Sequence, residues 1–132
     1  MKKPRSTTQG RDPESGIMAA EFALLLPVLA MLVALAVEGG NALRTYSIIQ
    51  EASREGARMV LRQGDTANTG QLVSAMAKDL PGGPPATSVQ MQDKKVTVEV
   101  THAYQSIFSG PILQKLAEGP LELSARTSMP LP

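Results

Sequence analysis

The chain has 132 residues, no cysteine and no tryptophan, and its 13 basic and 12 acidic side chains leave a formal charge of +1. That length holds one small domain and an anchor, and without cysteine there are no disulfides or thiolate metal sites. No clustered basic face marks a nucleic-acid surface, and the two tyrosines and two phenylalanines are too few for a large aromatic-lined pocket.

The charges are unevenly placed. Residues 1–16 form a basic leader with Lys2, Lys3, Arg5 and Arg11 against Asp12 and Glu14. Ile17 to Val37 then gives 21 residues with a single charge, Glu21. At about 1.5 Å per residue this run reaches roughly 30 Å, the thickness of a bilayer's hydrocarbon core. It has no polar face of the kind a buried soluble helix would show, so it is expected to be a transmembrane helix in contact with lipid. The bases precede the run, and Glu38 is the first charge after it. The positive-inside rule therefore predicts a cytoplasmic N-terminus and an external remainder. A cleaved secretory signal is the rival reading, with Ala34-Leu35-Ala36 as its small-residue site. The apolar stretch is long for that, and an early acid would weaken it. Pro27 is expected to bend the helix, as membrane helices tolerate.

A carboxylate in hydrocarbon costs a few kcal/mol and is usually paired. No base lies within the run. Either Glu21 reaches back to the interface, or its partner does not yet exist. A cut between Gly16 and Ile17 would give Ile17 a free ammonium, with Glu21 as the fifth residue of the new chain, one helical turn away.

No convincing helix stop follows before Gly64-Asp65, so a helix is predicted to continue over 38–64. Gly39-Gly40 is its weak point and a candidate hinge at the membrane surface. Leu43, Tyr46, Ile49, Ala52, Gly56 and Met59 or Val60 recur at helical spacing as its apolar face. Arg54, Arg58 and Arg62 lie on another face, with Glu51 and Glu55 spaced for ion pairs. Two readings stay open for Arg54, Glu55, Gly56 and Arg58. One is a solvated face with Gly56 admitting close packing of a sheet; the other is a subunit contact.

Residues 65–132 are predicted to form a small α+β head. Gln71–Leu80 reads as a short helix with Leu72, Ala75, Met76 and Leu80 on one face. The Pro81–Pro85 run is a break. Val96, Val98 and Val100 alternate with polar residues as a half-buried strand. Val89 and Met91 mark its partner, and Asp93-Lys94 the hairpin turn. Ile107–Ala117 is expected to be a loop and short helix broken at Gly110-Pro111, and Leu121, Leu123 and Ala125 a last strand. Three antiparallel strands packed on a long helix give an α+β fold. No catalytic constellation, cofactor loop or metal-ligand spacing is present. His102, the lone histidine, is expected to be a surface or strand residue without a catalytic role.

The residues Gly16, Ala19, Glu21, Phe22, Ala23, Leu24 and Pro27, then Glu38, Gly40, Ala42 and Leu43, then Ala52, Arg54, Glu55, Gly56, Ala57 and Arg58, come in three ordered groups. Together with the basic leader they resemble the TadE-like pseudopilins of the tight-adherence (Tad) pilus machinery, a type IV-like system, over about residues 16–62. Ala20 and Gly39 depart from the family, which more often carries Val and Phe there. The resemblance implies a pilin-like fold in a bacterial inner-membrane protein with a periplasmic head. It also implies cleavage at Gly16–Ile17 by a prepilin peptidase and sideways assembly of the mature helix with other pilins and pseudopilins. It names the Tad inner-membrane complex as a further partner, and implies no enzyme activity and no cofactor. Glu21 would pair with an N-terminal ammonium, its own or a neighbour's. The alternative is an unprocessed, single-pass anchored periplasmic binding module; a small membrane enzyme is a remote third.

Overall fold

A computed structural model describes residues 13–108 and 121–132. The leader charges Lys2, Lys3, Arg5 and Arg11 lie outside the described residues, as does most of the predicted Ile107–Ala117 loop and helix. The elements are α1 (Pro13–Gln63), α2 (Thr69–Met76), β1 (Ala86–Gln92), β2 (Lys95–Tyr104) and β3 (Leu121–Pro130). The chain divides into two units, residues 1–36 and 37–132.

In the first unit the described residues are helical throughout, and Pro27 lies inside α1. Among the described residues nothing covers the apolar side chains: Phe22, Leu24, Leu29 and Leu32 are all more than half exposed. A helix apolar on every side, without protein around it, suits lipid or the flanks of other helices. Among the described residues, α1 is the one helix long and apolar enough to cross a membrane.

The second unit sets the rest of α1 and the short α2 against a three-stranded antiparallel sheet in the order β1-β2-β3. Helical structure continues through Gly39 and Gly40, where the sequence suggests a hinge. It ends where Gly64 takes φ +66° and its amide donates to the Val60 carbonyl at 2.8 Å. That left-handed cap is one a side chain rarely adopts, which is why the helix stops at this glycine.

Val89 pairs with Val98, and Met91 with Val96, as the alternation predicts. Asp93 and Lys94 have φ of 51° and 58°, the double left-handed turn that matches strand twist in a two-residue hairpin. Val96, Val98 and Val100 are fully buried and face Ile49, Ala52, Ala57 and Val60 of α1, together with Val73, Ala77, Leu80 and Ala125. The other face of the sheet is polar, and there Glu99 accepts from Ser124 at 3.0 Å and from Arg126 at 3.2 Å.

Two details differ from the sequence reading. The buried stripe of α1 includes Thr45 and Ser53, whereas Leu43 and Tyr46 are exposed. Thr45 donates to the Asn41 carbonyl at 3.1 Å and Ser53 to that of Gln50 at 2.8 Å; Thr127 meets the Ser53 hydroxyl at 2.6 Å. With their hydroxyls satisfied locally, these residues pack as small side chains. Second, α2 buries Thr69 and Val73, and Ala77 and Leu80 follow, while Ala75 and Met76 face outward. Leu80 is the one residue of the expected face that is buried. His102 lies on a strand, one of the two settings expected of it: it is 2% exposed on the inner face of β2, with Nε2 donating to the Pro81 carbonyl at 3.1 Å.

Thr69 is fully buried, and its hydroxyl has no hydrogen-bond partner among the described residues. An unsatisfied buried hydroxyl costs about 1–3 kcal/mol, and an apolar group of the same shape does not. Thr69→Val is therefore expected to leave the melting temperature unchanged or raise it. A clear fall would mean that the hydroxyl is used.

Candidate functional site: the start of the long helix and the Glu38 clamp

The residues singled out by sequence fall at three places along α1. Gly16, Ile17 and Glu21 lie near its start. The helix begins at Pro13, so the peptide bond between Gly16 and Ile17 has helical backbone on both sides in the uncut chain. A protease must open the first turn to reach it. Helix ends open most readily, and glycine weakens a helix by about 1 kcal/mol relative to alanine. A side chain at Gly16 would meet nothing within 4 Å, so packing does not require glycine here. Ile17 and Glu21 are exposed, one turn apart on the same side of the helix. A cut before Ile17 would make Glu21 part of a new helix terminus, whose free amides and dipole favour a negative charge.

The Arg54, Glu55, Gly56, Arg58 group divides between opposite faces. Gly56 faces the head: a Cβ there would lie 3.0 Å from Thr69 Cγ2, 3.4 Å from Val98 Cγ1 and 3.6 Å from Val73 Cγ2. Its missing side chain lets β2 and α2 approach α1 closely. Arg54 and Arg58 point away and pair within the helix, with Glu51 at 3.9 Å and Glu55 at 3.5 Å. All four charged side chains are more than a third exposed, and such pairs are worth under about 1 kcal/mol. The packing reading thus accounts for Gly56, and the two arginines stay open to solvent or a partner.

The most developed polar site centres on Glu38, the first residue after the apolar run. Tyr104, at the end of β2, donates its hydroxyl to Oε1 at 2.8 Å. The Ile107 amide donates to Oε2 at 3.1 Å. Asn41, one turn along α1, donates to the Tyr104 hydroxyl at 3.3 Å. Ser106 and the Phe108 amide also donate to this carboxylate. Burial, the largest single influence, pushes the Glu38 carboxyl upward, but these donors together outweigh it and hold the group below the ordinary carboxylate range. Tyr104 is pushed up, first by burial and then by its bond to Glu38. In the sequence Glu38 reads as a flanking charge and a residue of the family pattern, not as this anchor. Its partners lie 66 and 69 positions away, beyond any local periodicity. The one available hint is an acid directly after an apolar run, with a tyrosine ending a later strand.

Among the described residues no group of three or more His, Asp or Glu side chains is placed to hold a metal ion. What α1 gathers is an uncovered apolar surface, a terminal acid and a clamp to the head. Residues 16–58 match the model of the TadE-like protein family. Over this segment the chain is similar to the TadE-like family. Neither curated proteins nor solved structures give a match. The TadE-like segment opens at Gly16, takes in Glu21 and Glu38, and closes at Arg58. It holds the helix side of the clamp and the Gly56 contact, whereas the sheet lies beyond it. The long helix and the sheet of the head together form a pilin-like α+β arrangement.

Proposed function

We propose that the protein is a minor pilin or pseudopilin of a Tad pilus, made as a precursor and cut between Gly16 and Ile17 by a prepilin peptidase. The observation that carries this reading is the start of the family match at Gly16, the residue just before the cut, with Glu21 fifth after it. Residues 1–16 hold the leader in the cytoplasm, 17–37 span the inner membrane, 38–64 carry the helix outward, and 65–132 complete a periplasmic head. The role is structural, in assembly of a fibre used for surface adherence, and needs neither catalysis nor a cofactor.

In this reading the uncut chain leaves Glu21 with no positive charge in the apolar run. Cleavage supplies one at Ile17, on the same protein or on a neighbouring subunit. In a low-dielectric medium an unpaired carboxylate is penalised strongly, so pairing fixes how far one helix slides along another. The uncovered apolar side chains of 17–37 then pack against other pilin helices. Arg54 and Arg58, exposed on the far side of α1 from the sheet, are candidates for subunit contacts.

The test separates processing from assembly. Glu21→Ala is expected to be cut normally, seen as a shortened chain in membranes, yet to give a several-fold loss of pili by electron microscopy. Full piliation with this variant would refute the pairing role.

A further inference from the structure

The head meets the end of the apolar run at one carboxylate. Glu38 directly follows Val37, and it binds the Tyr104 hydroxyl at 2.8 Å and the Ile107 amide at 3.1 Å, with Phe108 donating as well. All these residues belong to the unit 37–132. The side chains held there are apolar and uncovered: Ile107 is 59% exposed and Phe108 45%. Leu121, paired with Tyr104 across the β2–β3 ladder, is 58% exposed. The opposite end of the sheet is different. It carries the Asp93-Lys94 turn, Lys95 and Pro130, and Met91 is its one exposed large apolar side chain among the described residues.

We propose that this end of the head seats in the headgroup layer of the bilayer, with Ile107, Phe108 and Leu121 entering the interface at the leaflet where α1 leaves the hydrocarbon. The proposal rests on reading 17–37 as a membrane span. The headgroup layer is roughly 5–8 Å thick on each side, and Glu38 lies about 1.5 Å of helix rise past the end of the span. Its hydrogen bonds hold Ile107 and Phe108 beside it, within the depth where aromatic and aliphatic side chains settle. The same bonds supply the carboxylate with protein donors, so it sits at the membrane edge without needing water on every oxygen. The head therefore has a second attachment to the bilayer besides its helix, which restricts its tilt before assembly.

The chain has no cysteine, so single labels can be placed. The full chain is reconstituted in vesicles of phosphatidylethanolamine and phosphatidylglycerol. A fluorophore is attached at Ile107→Cys, Phe108→Cys, Gln90→Cys on exposed β1, or Leu29→Cys in the span. Quenching by aqueous iodide is compared with quenching by a nitroxide-bearing lipid. Labels at 107 and 108 should be several-fold less quenched by iodide than the label at 90, and should be quenched by the lipid nitroxide. Iodide quenching at 107 and 108 equal to that at 90, with Leu29 protected, overturns the seating and leaves the span intact. Iodide access at Leu29 overturns both. Protection at 107 and 108 from iodide and from the lipid nitroxide alike means that protein covers the patch, a second copy in this system, and also overturns the seating.

Discussion

Replacing Glu38 with alanine is expected to lower the unfolding free energy of the full chain in detergent by about 1.5–3 kcal/mol, the net worth of a hydrogen bond to a charged group; of its donors Tyr104 is the buried one. For a unit of this size each kcal/mol moves the melting temperature by about 4–8 °C. The loss arises because Tyr104, Ser106, Ile107 and Phe108 all lose one carboxylate. Glu38→Gln keeps one oxygen but turns a donor toward the others, so it should recover only part of the loss. A pH dependence goes with the clamp. The folded state holds the Glu38 carboxyl below its ordinary value. This contribution is complete above the unfolded carboxylate value of about 4.3 and is lost as pH falls through the lower folded value. Tyr104 has the opposite sign: its folded value is raised. Its contribution is complete below about pH 10 and is lost as pH rises through the raised value. Neither group changes stability between about pH 6 and 9, and the acid-side slope should shrink in Glu38→Ala. Unaltered melting in that variant would remove the clamp from the account.

Gly56→Leu is expected to cost about 3 kcal/mol, at the upper end of overpacking penalties. The first added carbon alone would lie 3.0 Å from Thr69 Cγ2 and 3.4 Å from Val98 Cγ1, and three more have no room between α1 and the head. Gly56→Ala should be milder, within about 1 kcal/mol of the parent, because the gain in helix propensity offsets part of the contact strain. Pairing it with Thr69→Ser, which removes the nearest methyl, should make the double variant more stable than the sum of the two single effects. Wild-type melting of Gly56→Leu would show that α1 and the sheet do not pack as closely as described.

What could be read from the sequence follows the range of the physics. Strand alternation at Val96, Val98 and Val100, the Asp93-Lys94 hairpin and the helix stop at Gly64 are local patterns, and all three are found. Gly56 between two arginines also reads correctly as a packing position, because a glycine in a long helix otherwise costs stability. The buried stripe of α1 departs from apolar periodicity where Thr45 and Ser53 take the place of apolar residues, since their hydroxyls are satisfied by backbone carbonyls within the same helix. The face of α2 could not be chosen locally: apolar residues lie on both sides, and contact with Gly56 and Val98 selects Thr69 and Val73. The role of Glu38 has no local signature. Its partners arrive from the end of β2, and only the folded head brings them to α1.

Gly16, Ile17 and Glu21 became legible through their order at the head of an apolar run and through family resemblance. The fold contributes the physical setting for the proposed cut: a helical first turn around the Gly16–Ile17 bond, and an acid one turn beyond it. Processing at Gly16–Ile17 is the central claim, and the intact mass of the chain purified from membranes tests it most directly. In cells with an active prepilin peptidase the account predicts a chain beginning at Ile17, and in cells lacking the peptidase a chain that keeps residues 1–16. A chain that retains the leader in both would contradict it.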